Sequence, residues 1–190
     1  MLLAGHIGMT LAAAKYAPRA LRDIRYRLYL FLPRGIHTFR EPWTERLDDR
    51  ALIVGSMLPD IVDKPLALFL APTLVGHSLR NYGHTLVFAA LVLAVALALA
   101  ALMKRQWPLT LALASAGHLV LDLMWFSHRI LFWPFTTSDF SPRNIHEWGP
   151  HPDVIYFSAE ILGLIVILWI GLRLIVTRNV RQWLLTGIGV

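Results

Sequence analysis

Residues 109–126 read Leu-Thr-Leu-Ala-Leu-Ala-Ser-Ala-Gly-His-Leu-Val-Leu-Asp-Leu-Met-Trp-Phe. The stretch approaches the about 20 mostly apolar residues that cross a bilayer as a helix, yet its second half carries His118 and Asp122. Four residues apart, the two share one helical face. There a histidine nitrogen and a carboxylate oxygen can meet one cation. They can equally form a hydrogen bond that holds two membrane helices together. The rest of the chain has to weigh these readings.

Two more stretches, Leu86–Met103 and Val154–Val176, are long and apolar enough to span. Leu2–Ala14 is short, and Ala51–Val75 is interrupted by Pro59, Asp60, Asp63, Lys64 and Pro65, so both are expected to be short, tilted or broken helices. Across 190 residues the chain is 56% hydrophobic and 16% charged, with mean hydropathy +0.55, too apolar for an ordinary water-soluble domain. The expected fold is all-α: a single-domain polytopic membrane bundle over residues 1–190, with three full spans and two short or broken ones. The first segment is read as a retained helix, because its positive charges come after the apolar run rather than before it.

The net charge of +6 comes from 18 Lys and Arg against 12 Asp and Glu. Arg19, Arg22, Arg25, Arg27, Arg34 and Arg40 crowd one stretch, interleaved with Tyr26, Tyr29, Phe31, Phe39 and Trp43. Basic and aromatic side chains mixed in this way suit a headgroup layer containing anionic lipid better than nucleic acid. Lys104 and Arg105 join two spans, and Arg173, Arg178 and Arg181 lie at the end of the last, so those ends are expected in the cytoplasm. No cysteine occurs, leaving His, Asp, Glu and water as the available metal ligands.

Ionisable groups in membrane segments cost several kcal/mol unless paired, hydrated or bound to metal. At about 1.5 Å per helical residue, His118 lies roughly 20 Å from Arg105 and Asp122 roughly 25 Å, which puts both near the outer leaflet. His84 begins its span on that side, His6 precedes the basic stretch, Asp60 lies well beyond Arg50, and Glu160 lies near the outer end of the last span. Agreement in depth among independent segments predicts one shared site. Asp60 and Asp63 are carboxylates in apolar surroundings. Lys64 can pair with Asp63, which leaves Asp60 as the better ligand candidate. His77 and His84, seven residues apart, share a face if their segment continues the following helix; otherwise they belong to a solvated loop that caps it. Arg80 between them suits an anionic group. The loop after residue 127 adds His128, His146, Glu147, His151 and Asp153 on the same side, with Trp133 and Trp148 as expected interface anchors.

The ordered pieces Ala4-Gly5-His6, Leu58-Pro59-Asp60-Ile61, Arg80 with Gly83-His84-Thr85, Gly117-His118 with Asp122, and Ile130-Leu131-Phe132-Trp133-Pro134 resemble a family of membrane-bound metal-dependent hydrolases of bacterial inner membranes. That family is itself distantly similar to zinc-dependent phospholipase C. Here Val62-Asp63-Lys64 stands where the family usually has Asp-His. The resemblance implies His6, Asp60, His84, His118 and Asp122 as metal ligands and Glu160 as a further carboxylate; His77 and Asp63 are second candidates from the residue pattern alone. It implies two or three divalent ions, zinc before others, and phosphoester chemistry.

The expected function is hydrolysis of a lipid or lipid-linked phosphoester by a metal-activated water. Asp60 or Glu160 would be the general base, and Arg80 would hold substrate oxygen. An ion or proton transporter also uses intramembrane His, Asp and Glu, but Leu86–Leu102 and Ile161–Ile170 contain no ionisable residue that would continue a path inward. A non-catalytic membrane protein whose metal stabilises the bundle is the other alternative.

Overall fold

The computed structural model describes residues 3–15, 47–76, 78–136, 140 and 152–188. The basic stretch assigned to anionic lipid, together with His77, His146, Glu147, Trp148 and His151, lies outside them. The described residues form helices and turns with no strand, as the hydropathy pattern predicts. The helices are α1 (residues 3–15), α2 (Asp49–Pro65), α3 (Leu86–Met103), α4 (Trp107–Leu121), α5 (His128–Leu131), α6 (Pro152–Val176) and α7 (Val180–Thr186).

The helices divide by what surrounds them. α3 and the Val154–Val176 part of α6 are long and apolar enough to cross a membrane, and almost all of their surface is open. Most of their leucines, valines and isoleucines face outward, with Ile170 and Leu174 of α6 turned inward, as expected where the solvent is hydrocarbon. α2 is the opposite: Gly55, Ser56, Met57, Pro59, Asp60 and Asp63 are all buried. It is an inner helix that holds polar groups away from lipid.

Small residues bring the backbones together. A Cβ on Gly8 would overlap the Gly163 backbone, and one on Gly163 would overlap the carbonyl of Ala4, so α1 and α6 cross almost backbone to backbone. Gly55 meets the Leu111 carbonyl of α4 in the same way. Beneath these crossings, Leu11, Leu52, Ala114, Ile170 and Leu174 form an apolar core, with Ile7, Val166 and Trp183 packed against it. Five of the helices are thereby joined.

Two boundaries differ from the hydropathy reading. The apolar run to Phe126 does not stay helical: α4 stops at Leu121, Leu123 turns left-handed at φ 54°, and Met124–Phe126 forms a separate 3-10 turn. Hydropathy does not register this break, because the residues after it are as apolar as those before. Residues 78–84 also fail to extend α3. Tyr82–His84 is a 3-10 turn, and Thr85 caps α3 by accepting the N–H of Phe88 at 3.0 Å. The polar turn is buried rather than solvated: Asn81 and His84 are fully enclosed, while Leu79 faces outward.

Candidate metal centre

Four chain segments deliver the polar cluster: α1 carries His6, α2 carries Asp60 and Asp63, the turn before α3 carries His84, and the end of α4 carries His118 and Asp122. All six side chains are buried. Asp122 caps α4, its N–H still reaching the His118 carbonyl at 2.9 Å, so the four-residue spacing survives the helix end.

Two histidines are fixed through Nδ1. His118 Nδ1 lies 2.6 Å from the Ser56 carbonyl, which can only accept, so that nitrogen carries the hydrogen. His84 Nδ1 lies 2.6 Å from Asp63 Oδ2, again an acceptor. In the neutral form of each ring Nε2 is then a bare lone pair.

Those lone pairs face each other, with His84 Nε2 and His118 Nε2 3.1 Å apart. Asp60 Oδ1 lies 3.8 Å from the first and 4.0 Å from the second, and Asp122 Oδ2 lies 3.5 Å from His84 Nε2. His6 stacks on His118 with ring centroids 3.8 Å apart and 14° between planes. Its Nε2 comes within 3.1 Å of Asp122 Oδ1 but off the line of a hydrogen bond, and neither ring nitrogen has a hydrogen-bond partner among the described residues.

Acceptors packed against acceptors repel unless a cation sits among them. Two overlapping sets qualify, His6 with His118 and Asp122, and Asp60 with His84 and His118, each with its ligand atoms within 4.8 Å of one another. A tetrahedral ion with ligands at about 2.1 Å separates those ligands by about 3.4 Å, inside the observed spread. The donor set therefore fits one or two divalent ions of zinc type.

The remaining candidates divide. Lys64 Nζ bonds Asp60 Oδ2 at 2.7 Å and not Asp63, which corrects the expected pairing. Residues 63 and 64 are adjacent and point about 100° apart on the helix, whereas 60 and 64 are neighbours on one face. Asp60 keeps Oδ1 toward the histidines. Arg80 Nε bonds Asp122 Oδ2 at 2.8 Å with the side chain 19% exposed, so a cation sits at the rim of the cluster. Glu160 is not brought into either ligand set: α6 places its Oε2 3.0 Å from Gly5 N, where it accepts an N–H from the first turn of α1. His128 is exposed, with Nδ1 3.4 Å from the Trp125 carbonyl. Trp133, half-buried, packs on Tyr82 and Phe140.

Sequence reading missed the Ser56 carbonyl, Asn81, and Tyr156 on α6, which lies within electrostatic reach of Arg80 and Asp122. None of the three had a signal in the sequence, because each depends on which segments meet.

Lipid-facing helices around a buried histidine and aspartate cluster define a helical membrane protein with a candidate metal centre. The chain belongs to the YdjM inner membrane protein family, whose model matches residues 1–188. No curated protein and no solved structure matches it.

Proposed function

We propose that this inner membrane protein is a metal-dependent hydrolase that cleaves a phosphoester of a lipid or lipid-linked substrate. The observation that carries this reading is the pair of histidine lone pairs, Nε2 to Nε2 at 3.1 Å, enclosed by Asp60 and Asp122. His6, Asp60, His84, His118 and Asp122 would hold the metal. A divalent ion bound there supplies a water of lowered pKa and polarises the phosphoester.

The chain's own residues support the rest. Asp60 directs Oδ1 into the cluster, which places it better than Glu160 to take a proton from water. Lys64 holds the other oxygen of Asp60, keeping that carboxylate oriented. Arg80, partly exposed beside Asp122, presents positive charge where an anionic substrate would arrive. A phosphoester is anionic, and a lipid reaches such a site sideways through the bilayer. The cluster lies at the opposite end of the bundle from Lys15, Lys104 and Arg178, so the excess of basic residues at that other end favours a site facing the outer leaflet.

The test is hydrolysis of a panel of phospholipids and lipid-linked phosphates by purified protein in nanodiscs, with added zinc or manganese, against His118→Ala and Arg80→Ala. Metal-dependent headgroup release that disappears in His118→Ala supports the proposal. Metal bound tightly with no turnover across the panel points instead to an ion that stabilises the bundle.

A further inference from the structure

Asp63 is fully buried, has no Lys or Arg partner among the described residues, and belongs to neither converging ligand set found there. Its oxygens are spent elsewhere. Oδ1 accepts the N–H of Gly83 at 2.6 Å, while Oδ2 accepts the N–H of Asn81 at 2.7 Å and meets His84 Nδ1 at 2.6 Å. We infer that Asp63 is a positioning residue and not a ligand: it fixes the tautomer of His84 so that Nε2 meets the cluster as a lone pair. This rests on the metal-centre reading above.

The argument turns on what an ionised carboxylate can do. It accepts and never donates, so every N–H aimed at it must carry its hydrogen. His84 Nδ1 is forced to be the N–H nitrogen, and Nε2 is left bare. A hydroxyl or amide at this position could also donate, and the ring could then turn its N–H toward the other histidines. The carboxylate also raises the basicity of the ring it orients. Loop stapling by itself needs no anion, because Asn81 already staples the same loop: its Nδ2 donates to the carbonyls of Ser78 and Asp63, and its Oδ1 accepts from Tyr82 N.

Gly83 explains why the geometry is tight. A Cβ there would fall 2.6 Å from the Pro59 carbonyl and 2.9 Å from Asp63 Oδ1. The turn can press its amides onto the carboxylate only because residue 83 lacks a side chain. A longer acid at residue 63 has no room, so Asn is the informative replacement. In Asp63→Asn the amide NH2 must face either the Gly83 N–H or the Asn81 N–H and His84 pair. The second arrangement reverses the imidazole tautomer.

Two measurements on the full-length protein in detergent test this. The first is zinc affinity by chelator competition for wild type, Asp63→Asn, Asn81→Ala and His118→Ala. The second is 15N NMR of histidine-labelled, metal-free protein, with the His84 ring assigned by its loss in His84→Gln. The positioning role predicts an Nδ1–H tautomer at His84 in the wild type, an Nε2–H population appearing in Asp63→Asn, and zinc affinity lowered about 10- to 100-fold. Asn81→Ala, which loosens the loop but leaves the carboxylate on the ring, should keep both the tautomer and most of the affinity. Equal losses in Asn81→Ala and Asp63→Asn would reduce Asp63 to a loop staple, and an Nε2–H tautomer in the wild type would overturn the inference outright. If zinc binds wild type no better than His118→Ala, the metal-centre reading fails by itself, while the metal-free tautomer still decides what Asp63 does.

Discussion

The two ends of this bundle bury carboxylates by opposite means. At the end carrying Lys15, donors and acceptors alternate. Asp49, buried at the start of α2, accepts from Lys15 Nζ and Trp183 Nε1, each at 3.1 Å, and its N–H meets the Gly187 carbonyl at 2.6 Å. Asp48 caps α2 and takes Arg50 through Nη2 at 2.8 Å and Nε at 3.1 Å. α1, α2 and α7 are clasped there by pairs that leave no acceptor facing another. At the end carrying His118, Asp60 gives Oδ2 to Lys64 and turns Oδ1 toward His84 and His118, whose Nδ1 atoms already meet acceptors, while Asp122 gives Oδ2 to Arg80 and turns Oδ1 toward His6, whose ring nitrogens have no hydrogen-bond partner among the described residues. The first end is complete as protein. The second leaves acceptors turned toward one another when the rings are neutral, and that contrast separates a structural clasp from a candidate site.

If the contrast is real, damage to the two ends should read out differently. The largest expected effect is on stability at the clasp. Asp49→Ala leaves Lys15 without its partner, only 17% exposed, and should cost about 3 kcal/mol or more in reversible unfolding, with metal binding unchanged. The next effect belongs to the cluster: zinc at a hundredfold excess over its Kd should stabilise wild type by about 2.7 kcal/mol. The same gain should appear in Asp49→Ala and vanish in His118→Ala, read as thermal shifts with and without chelator. A zinc-dependent shift in His118→Ala would erase the distinction between the ends.

The smallest effect is a pH dependence at the clasp. Burial raises the Asp48 carboxyl, but the Arg50 side chain and the N–H groups of Ala51 and Arg50 outweigh it and hold the group below its ordinary 3.8. A depressed carboxyl contributes stability that is fully present above its unfolded value and lost as pH falls through the folded one. Asp48→Asn, which keeps an N-cap oxygen, should therefore melt slightly below wild type near neutrality. The two melting curves should converge below about pH 4. The gap should stay smaller than that of Asp49→Ala, because the Arg50 side chain is 41% exposed and solvent screens the pair.

Much of this arrangement is legible in the sequence because a membrane makes polar residues conspicuous. His6, Asp60, His84, His118 and Asp122 stand out as ionisable groups in apolar segments, and those five converge. Glu160 stands out for the same reason yet serves the start of α1, since depth in the membrane does not specify which neighbour a side chain meets. Asp63 and Lys64 were paired by adjacency, where helical geometry favours residues four apart. The end of α4 at Leu121 was hidden because a left-handed leucine leaves no mark on hydropathy. Ser56 and Asn81 act through a carbonyl and a turn, which carry no signal until the helices are packed.

The central claim, that the His118 end is a cation site and the Lys15 end is not, is tested most directly by elemental analysis of protein purified from membranes without added metal. Wild type and Asp49→Ala should carry the same divalent metal near stoichiometric amounts, and His118→Ala, which removes the histidine common to both ligand sets, should carry almost none. Equal, substoichiometric metal in all three proteins would contradict the account.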